Sequence, residues 1–214
     1  GQAEEIGHRG PHCVPTCMTC RSTPEMLSCT ACSLHNWRHL VVPGHGNPDA
    51  DIALIGEAPG RVEDEQGKPL VGPAGQRFNR QLLAAGIDRA AVWCGNLVLC
   101  RPPDNRLRDY PDARARCPDL WLWPALAAVK PRVVVAMGEA AGSLWFPGRR
   151  ATEISKLARM CQPPRSSAVG WGAYVVVGSF HPSYALRAGG DWNDIDDLIV
   201  ARMLLARELA ERGY

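Results

Sequence analysis

The sequence predicts an α/β fold, a three-layer α/β/α sandwich with a central four-stranded parallel sheet and a cysteine-rich N-terminal extension. Four short apolar runs bounded by turn-forming residues alternate along the chain with amphipathic segments of helical period. This alternation is typical of a parallel sheet that is covered by helices on both faces. The length agrees, because 214 residues are enough for one large domain with a full core.

Each element follows from its local pattern. The predicted strands are 52–56, 92–99, 133–137 and 174–177. The predicted helices are 76–85, 112–129, 139–145 and 196–212, the second interrupted by Pro118 and Pro124. In the last helix we expect Leu198, Ala201, Leu205 and Leu209 to form the apolar stripe. Residues 1–28 have no periodic apolar pattern and are predicted to extend a domain that spans 29–214.

Composition places the chain among soluble globular proteins, with 46% hydrophobic and 21% charged residues. No apolar run approaches the roughly 20 residues that cross a bilayer, and no secretion signal opens the chain, so we expect a cytoplasmic protein. The net charge of +2 is uninformative, but residues 101–116 and 149–165 each carry five basic side chains. These segments either meet phosphate groups or form a solvated arginine-rich face.

Three polar side chains mark the ends of predicted strands. Glu57 follows the first strand, Asn96 lies in the second and His181 follows the fourth. Any one of them alone is typical of a helix cap, a turn residue or a loop histidine. Because the carboxyl ends of parallel strands meet at one edge of a sheet, the three together predict a functional site. The glycine-rich segment 56–60 lacks both the phosphate-loop and the dinucleotide fingerprints, which disfavours nucleotide hydrolysis and dinucleotide redox chemistry.

Three ordered motifs carry a family resemblance. The strings GEAPGRVEDEQGKPLVGPAG, GNLVLCRPPDNR and HPSYALR resemble the family 4 uracil-DNA glycosylases, the iron–sulfur members of the uracil-DNA glycosylase superfamily. The resemblance extends from about Cys29 to the C-terminus. It implies a DNA glycosylase that flips a pyrimidine, uracil or a modified one, out of DNA and hydrolyses its N-glycosidic bond. DNA is the implied partner, and we expect no membrane contact and a monomer.

The resemblance also implies roles for individual residues. Glu57 would position water or stabilise a cationic sugar, His181 would stabilise the oxyanion of the leaving base, and Asn96 would pair with the pyrimidine edge. The implied base-binding set is Ala58, Gly60, Glu63, Leu70 and Asn96. The implied DNA-binding residues are Pro182, Ser183 and Arg187, of which the arginine suits a phosphate.

The cysteines indicate metal ligation. The chain has nine of them, an odd and clustered set without a secretion signal, which argues against disulfides. The resemblance assigns Cys29, Cys32, Cys100 and Cys117 to a [4Fe–4S] cluster. The competing arrangement is a zinc ribbon built from the cysteine pairs 17/20 and 29/32. It leaves Cys100 and Cys117 without a role.

Three further cysteines lie outside the family pattern, at Cys13, Cys17 and Cys20. With His8 or His12 they would suit zinc as a second metal site. The alternative is that they are unligated thiols in the N-terminal extension.

Leu70 departs from the family, which usually has an aromatic residue at this position to stack on the flipped base. Either uracil remains the substrate, or a wider pocket takes a bulky modified cytosine or hydroxymethyluracil of phage DNA, in a defence role. A noncatalytic damaged-DNA-binding module is the rival class, and the presence of both Glu57 and His181 favours the enzyme. No histidine stands in Arg101–Arg106, which disfavours a covalent DNA trap.

Overall fold

A mixed six-stranded sheet forms the centre of the structure, a computed structural model that describes residues 22–164 and 171–213. Its strands are β1 (His45–Gly46), β2 (Ile52–Gly56), β3 (Trp93–Asn96), β4 (Val133–Met137), β5 (Ala158–Cys161) and β6 (Tyr174–Ser179). They lie in the order β1-β3-β2-β4-β6-β5. The pairs β3/β2, β2/β4 and β4/β6 are parallel, and β1 and β5 pair antiparallel at the two edges.

Helices connect the strands. They are α1 (Pro24–Leu27), α2 (Arg61–Gln66), α3 (Pro73–Ala84), α4 (Pro111–Cys117), α5 (Trp123–Val129), α6 (Gly138–Gly142), α7 (Ala151–Ile154), α8 (Pro182–Ala188) and α9 (Asp194–Glu211). A π-helical turn, Pro118–Leu122, joins α4 to α5 and accommodates a proline that cannot donate a backbone hydrogen bond. In the described ranges, no helix is both long and apolar enough to cross a membrane.

Helices cover both faces of the sheet because successive strand residues point to opposite sides. One core holds Leu54, Val135 and Val177 together with Phe78 of α3 and Met203 of α9. The other holds Ile55, Val134 and Val176 together with Leu126 of α5 and Ile154 of α7. The predicted α/β class is therefore confirmed.

The sheet is larger than the predicted four strands. Its two edge strands were missed because β1 has only two residues and Ala158–Met160 of β5 are exposed, so neither has an apolar pattern. The second predicted strand is shorter than expected and ends at Asn96. The apolar residues that follow it leave the sheet and pack in a third core with Cys100 and Cys117.

The predicted apolar stripe of α9 was wrong by about one position. The buried apolar residues are Ile199, Met203, Ala206 and Ala210, whereas Leu198 is 49% exposed. The helix carries apolar residues on more than one side, so periodicity alone does not identify the face that meets the sheet.

Candidate active site

Glu57, Asn96 and His181 line one cavity of about 570 Å³ at the carboxyl ends of β2, β3 and β6. Parallel pairing of β2 with β3 sets Gly56 directly beside Asn96. The structure therefore brings together the three polar residues that the sequence analysis assigned to one edge of the sheet.

Gly56 allows the amide and the imidazole to approach each other. A Cβ atom built at this position would lie 2.6 Å from Asn96 Oδ1 and 3.5 Å from His181 Nε2. The first distance is shorter than any real contact, so a larger residue would displace the amide. Both polar atoms thus lie beside the same point of the cavity wall.

The hydrogen bonds of His181 define its tautomer. Its Nδ1 accepts from the backbone N–H of Ser183 at 3.2 Å and lies 2.9 Å from the Ser183 hydroxyl. Arg187 donates to that hydroxyl at 3.1 Å, which leaves the hydroxyl hydrogen free to point at Nδ1. A neutral imidazole that accepts at Nδ1 carries its hydrogen on Nε2, beside Asn96.

Burial keeps His181 neutral. It lowers the pKa of His181 to about 4, with a smaller contribution from the positive charge of Arg187. At neutral pH the side chain therefore presents an uncharged N–H donor. Such a donor suits negative charge that develops on a bound group.

The pKa of Glu57 is shifted in the opposite direction. Burial raises the pKa of its carboxyl group and Glu139 adds to the rise, while Arg114 and Arg187 oppose it. Among the described residues, none donates a hydrogen bond to this carboxylate. Both of its oxygens are therefore available to a ligand or to water.

Glu63 lines the cavity and braces its wall. Its Oε1 accepts from the backbone N–H groups of Val71 at 3.0 Å and Gly72 at 2.7 Å. Its other oxygen lies close to Gly60, where a Cβ atom would stand 2.7 Å away. The carboxylate thus ties α2 to the loop that precedes α3, a role that depends on tertiary contacts and has no sequence signal.

Leu70 forms part of the same wall in a left-handed backbone conformation, with φ of 55°. Its carbonyl packs against Gly75, where a Cβ atom would lie 2.0 Å from the oxygen. Only glycine permits this approach. The loop that presents Leu70 is therefore held from both sides, by Glu63 and by α3.

The other predicted site residues are distributed over the cavity and its mouth. Ala58 and Gly60 line it, as do Ser183 and Arg187, whereas Pro182 is buried as the first residue of α8. The Arg187 guanidinium also lies 4.6 Å from the centre of the Tyr184 ring. Sequence reasoning missed Asn105 and Glu139, which also line the cavity. Glu139 was detectable, because it follows β4 as Glu57 follows β2.

A second, small cavity is lined by four cysteines from three chain segments: Cys29, Cys32, Cys100 and Cys117. The Trp121 indole N–H donates to Cys29 Sγ at 3.4 Å, and Arg38 donates to Cys100 Sγ at 3.5 Å. Burial raises the pKa of Cys100 to about 11 and that of Cys117 to about 12. Within the described ranges, no set of three or more His, Cys, Asp or Glu side chains is grouped to hold a single metal ion. Four thiols with N–H donors to sulfur have the donor chemistry of an iron–sulfur cluster, which is a larger body than one ion.

The remaining cysteines do not join this cavity. Cys13, Cys17 and Cys20, with the two histidines considered as zinc ligands, lie outside the described residues. Cys94 is buried in β3 and Cys161 lies in the edge strand β5.

Comparison with known proteins agrees with this geometry. The family model of the uracil DNA glycosylase superfamily matches residues 43–198, a span that includes Glu57, Asn96 and His181. A type-4 uracil-DNA glycosylase of Thermotoga maritima is 40% identical, over 76% of this chain and 80% of its own. The type-4 enzymes of Archaeoglobus fulgidus and Pyrobaculum aerophilum are 37% and 35% identical, over 76% and 75% of this chain and 80% of each relative.

Proposed function

The chain belongs to the uracil DNA glycosylase superfamily, as a type-4 member, and we propose that it excises uracil from DNA. It is an enzyme, a DNA N-glycosylase that hydrolyses the bond between base and sugar and leaves an abasic site. The observation that carries the proposal is the meeting of a carboxylate, an amide and a neutral imidazole in one cavity. These groups match the charges that develop when a glycosidic bond breaks.

The leaving base takes up negative charge. The flipped pyrimidine enters the cavity with one edge toward Asn96, whose amide offers both a donor and an acceptor. His181 donates a hydrogen bond from its Nε2–H group to the oxygen on which the charge develops. Because Ser183 and Arg187 fix the tautomer, the donor is in place before the bond breaks.

The sugar takes up positive charge. The Glu57 carboxylate stabilises this cationic sugar or orients the water that attacks it. No described residue donates a hydrogen bond to it, and Arg114 and Arg187 favour its charged form against burial. A carboxylate without a protein hydrogen-bond donor is free to act on substrate or water.

The related enzymes are uracil-DNA glycosylases, and this supports uracil as the base. The comparisons give no support to the two alternatives, a glycosylase for bulky phage pyrimidines and a noncatalytic DNA-binding module. A specific role for Leu70 in base selection stays a prediction.

The test is incubation of purified protein with DNA that contains uracil, hypoxanthine, hydroxymethyluracil or a modified cytosine, scored for abasic sites. We expect abasic sites in uracil-containing DNA. Protein that binds the DNA and releases no base from any of the panel would overturn the proposal. Preferential release of a bulky base would favour the phage-DNA alternative.

The four-cysteine cavity is proposed to hold a [4Fe–4S] cluster through Cys29, Cys32, Cys100 and Cys117. Four iron–sulfur bonds would cross-link the segment before β1 to the loop after β3 and to α4. Trp121 and Arg38 would donate hydrogen bonds to the ligand sulfurs. Nothing in the catalytic step depends on the cluster.

Iron analysis tests this assignment. Protein purified without oxygen should be brown and contain about four irons per chain. Cys100→Ser should lose the colour and most of the iron, whereas Cys161→Ser, a thiol outside the cavity, should keep both. Colourless wild-type protein that contains zinc in place of iron would contradict the assignment.

A further inference from the structure

A cleft of about 530 Å³, distinct from the four-cysteine cavity, adjoins the active-site cavity and shares Glu57 and Glu139 with it. Four arginines line it: Arg108, Arg114, Arg149 and Arg150. The first two come from basic segment 101–116 and the other two from basic segment 149–165. The fold therefore brings both basic segments of the sequence to one place beside the catalytic carboxylate.

These arginines keep much of their charge available. Arg108 and Arg149 are 77% and 60% exposed, and their acidic partners are the exposed residues Asp109 at 3.7 Å and Glu153 at 3.0 Å. Such exposed pairs contribute little, so a stronger anion can replace them. Arg114 and Arg150 form no ion pair with any residue in the described part of the chain.

The two acids of the cleft lie on the wall that it shares with the active site. Glu139 is engaged there, because its Oε2 accepts from the backbone N–H of Ala151 at 3.3 Å. Glu57 also lines the catalytic cavity, where its carboxylate acts on the sugar or on water. The acidic wall thus faces the reacting sugar, and the four arginines are the charged residues of the remaining described lining.

The lining selects a backbone rather than a base. None of the described lining residues is aromatic, so the cleft offers no surface on which bases stack. Guanidinium groups instead match phosphate oxygens through paired hydrogen bonds. No residue of α8 lines the cleft, so it extends away from Ser183 and Arg187 at the cavity mouth.

We propose that this arginine cleft binds the backbone phosphates of the DNA strand on one side of the flipped nucleotide. The inference rests on the proposed function, since it takes the strand to enter at the catalytic cavity. Residues of α8 then lie beside the strand on the other side of that nucleotide. The cleft positions the DNA and does not take part in bond cleavage.

The test compares two double variants that remove the same charge. The cleft variant, Arg108→Gln with Arg150→Gln, removes two of the four positive charges of the cleft. The control variant, Arg132→Gln with Arg212→Gln, removes two arginines near the amino end of β4 and the end of α9. Binding is measured to single-stranded DNA carrying a tetrahydrofuran abasic-site analogue, which cannot be cleaved. The dissociation constant is recorded from low to high salt.

We expect the cleft variant to lower the slope of log Kd against log salt by about 1.4, from two lost phosphate contacts of about 0.7 each. The control variant should keep the wild-type slope. Shortening the DNA on the side of the analogue that enters the cleft should weaken binding by the wild-type protein. The same shortening should leave the affinity of the cleft variant almost unchanged.

Equal slopes in both variants and wild type, or an equal decrease in both variants, would overturn the cleft proposal. The proposal would also be overturned if the wild-type protein lost the same affinity whichever side of the DNA is shortened. Failure of the wild-type protein to excise uracil is a separate result. It would contradict the proposed function whatever the salt slopes are.

Discussion

Two clusters of polar side chains differ in how their ionisable groups are partnered, a fully buried one between two helices and a half-buried one in the wall of the cavity. Between α3 and α9, Arg77 donates to both carboxylate oxygens of Asp196 at 2.8 and 2.6 Å, and Gln81 adds a donor at 2.7 Å. These bonds lower the pKa of Asp196 to about 2. In the candidate active site, burial raises the pKa of Glu57 and lowers that of His181 to about 4.

The difference separates structural from functional burial. A buried charge with a full set of partners stays charged, and here it joins two helices. A buried group without such partners is pushed toward its neutral form and keeps hydrogen-bonding atoms for a ligand. Substitutions in the first cluster should therefore change stability, and substitutions in the second should change excision.

The largest effect is expected from Asp196→Ala. Removing one partner of a buried pair leaves Arg77 uncompensated, which costs about 3–5 kcal/mol of unfolding free energy. The single-turnover excision rate of the folded variant should stay at the wild-type value. Denaturant unfolding measures the loss. The matched control is Asp191→Ala, the 92% exposed partner of Arg80, with a cost of about 0–1 kcal/mol. Similar costs for both variants would contradict the comparison.

The same pair has a predicted pH dependence. The folded-state pKa of Asp196 lies below its ordinary value of 3.8, so its contribution to stability is complete above that value. It should be lost as the pH falls from about 4 toward 2. Asp196→Ala should unfold with a weaker pH dependence over this interval than wild type does.

His181→Asn should separate catalysis from helix capping. Asparagine can cap α8 as His181 does, so the melting temperature should stay close to that of wild type. Loss of the Nε2 donor should lower the single-turnover excision rate by about 10²–10³-fold. DNA binding should persist. Excision at the wild-type rate would show that the donor lies elsewhere.

Leu70→Phe should have the smallest effect. A stacking ring contributes about 1–3 kcal/mol to holding a base, but the left-handed backbone at this position opposes part of that gain. We expect kcat/KM for uracil to rise relative to hydroxymethyluracil by no more than about tenfold. An unchanged ratio, or a shift toward the larger base, would mean that Leu70 does not select the base.

The sequence predicted best where burial dominates. The apolar runs of β2 and β4 are buried on both faces, and both strands have their predicted bounds. Helices α2 and α8 are only six and seven residues long, too short for a clear apolar period, and they were not predicted. Local pattern is weak evidence for elements whose position is decided by tertiary contacts.

The site was predictable in part for the same reason. The positions of Glu57 and His181 follow from strand ends that the sequence reveals, whereas the predicted second strand extended three residues beyond Asn96. The bracing contacts of Glu63 and the meeting of two arginine segments require loops to fold against each other. No spacing rule encodes such contacts between distant loops.

The most direct test of the account is the pH profile of single-turnover uracil excision in wild type and in Glu57→Gln. Glu57 has a pKa above its ordinary 4.5 and His181 has one of about 4, so Glu57 is protonated first as the pH falls. Wild-type excision should show one acid limb with an apparent pKa above 4.5. Glu57→Gln should be slower by about 10²-fold or more and lack that limb. An acid limb that persists unchanged in Glu57→Gln would contradict the assignment of Glu57 as the catalytic carboxylate.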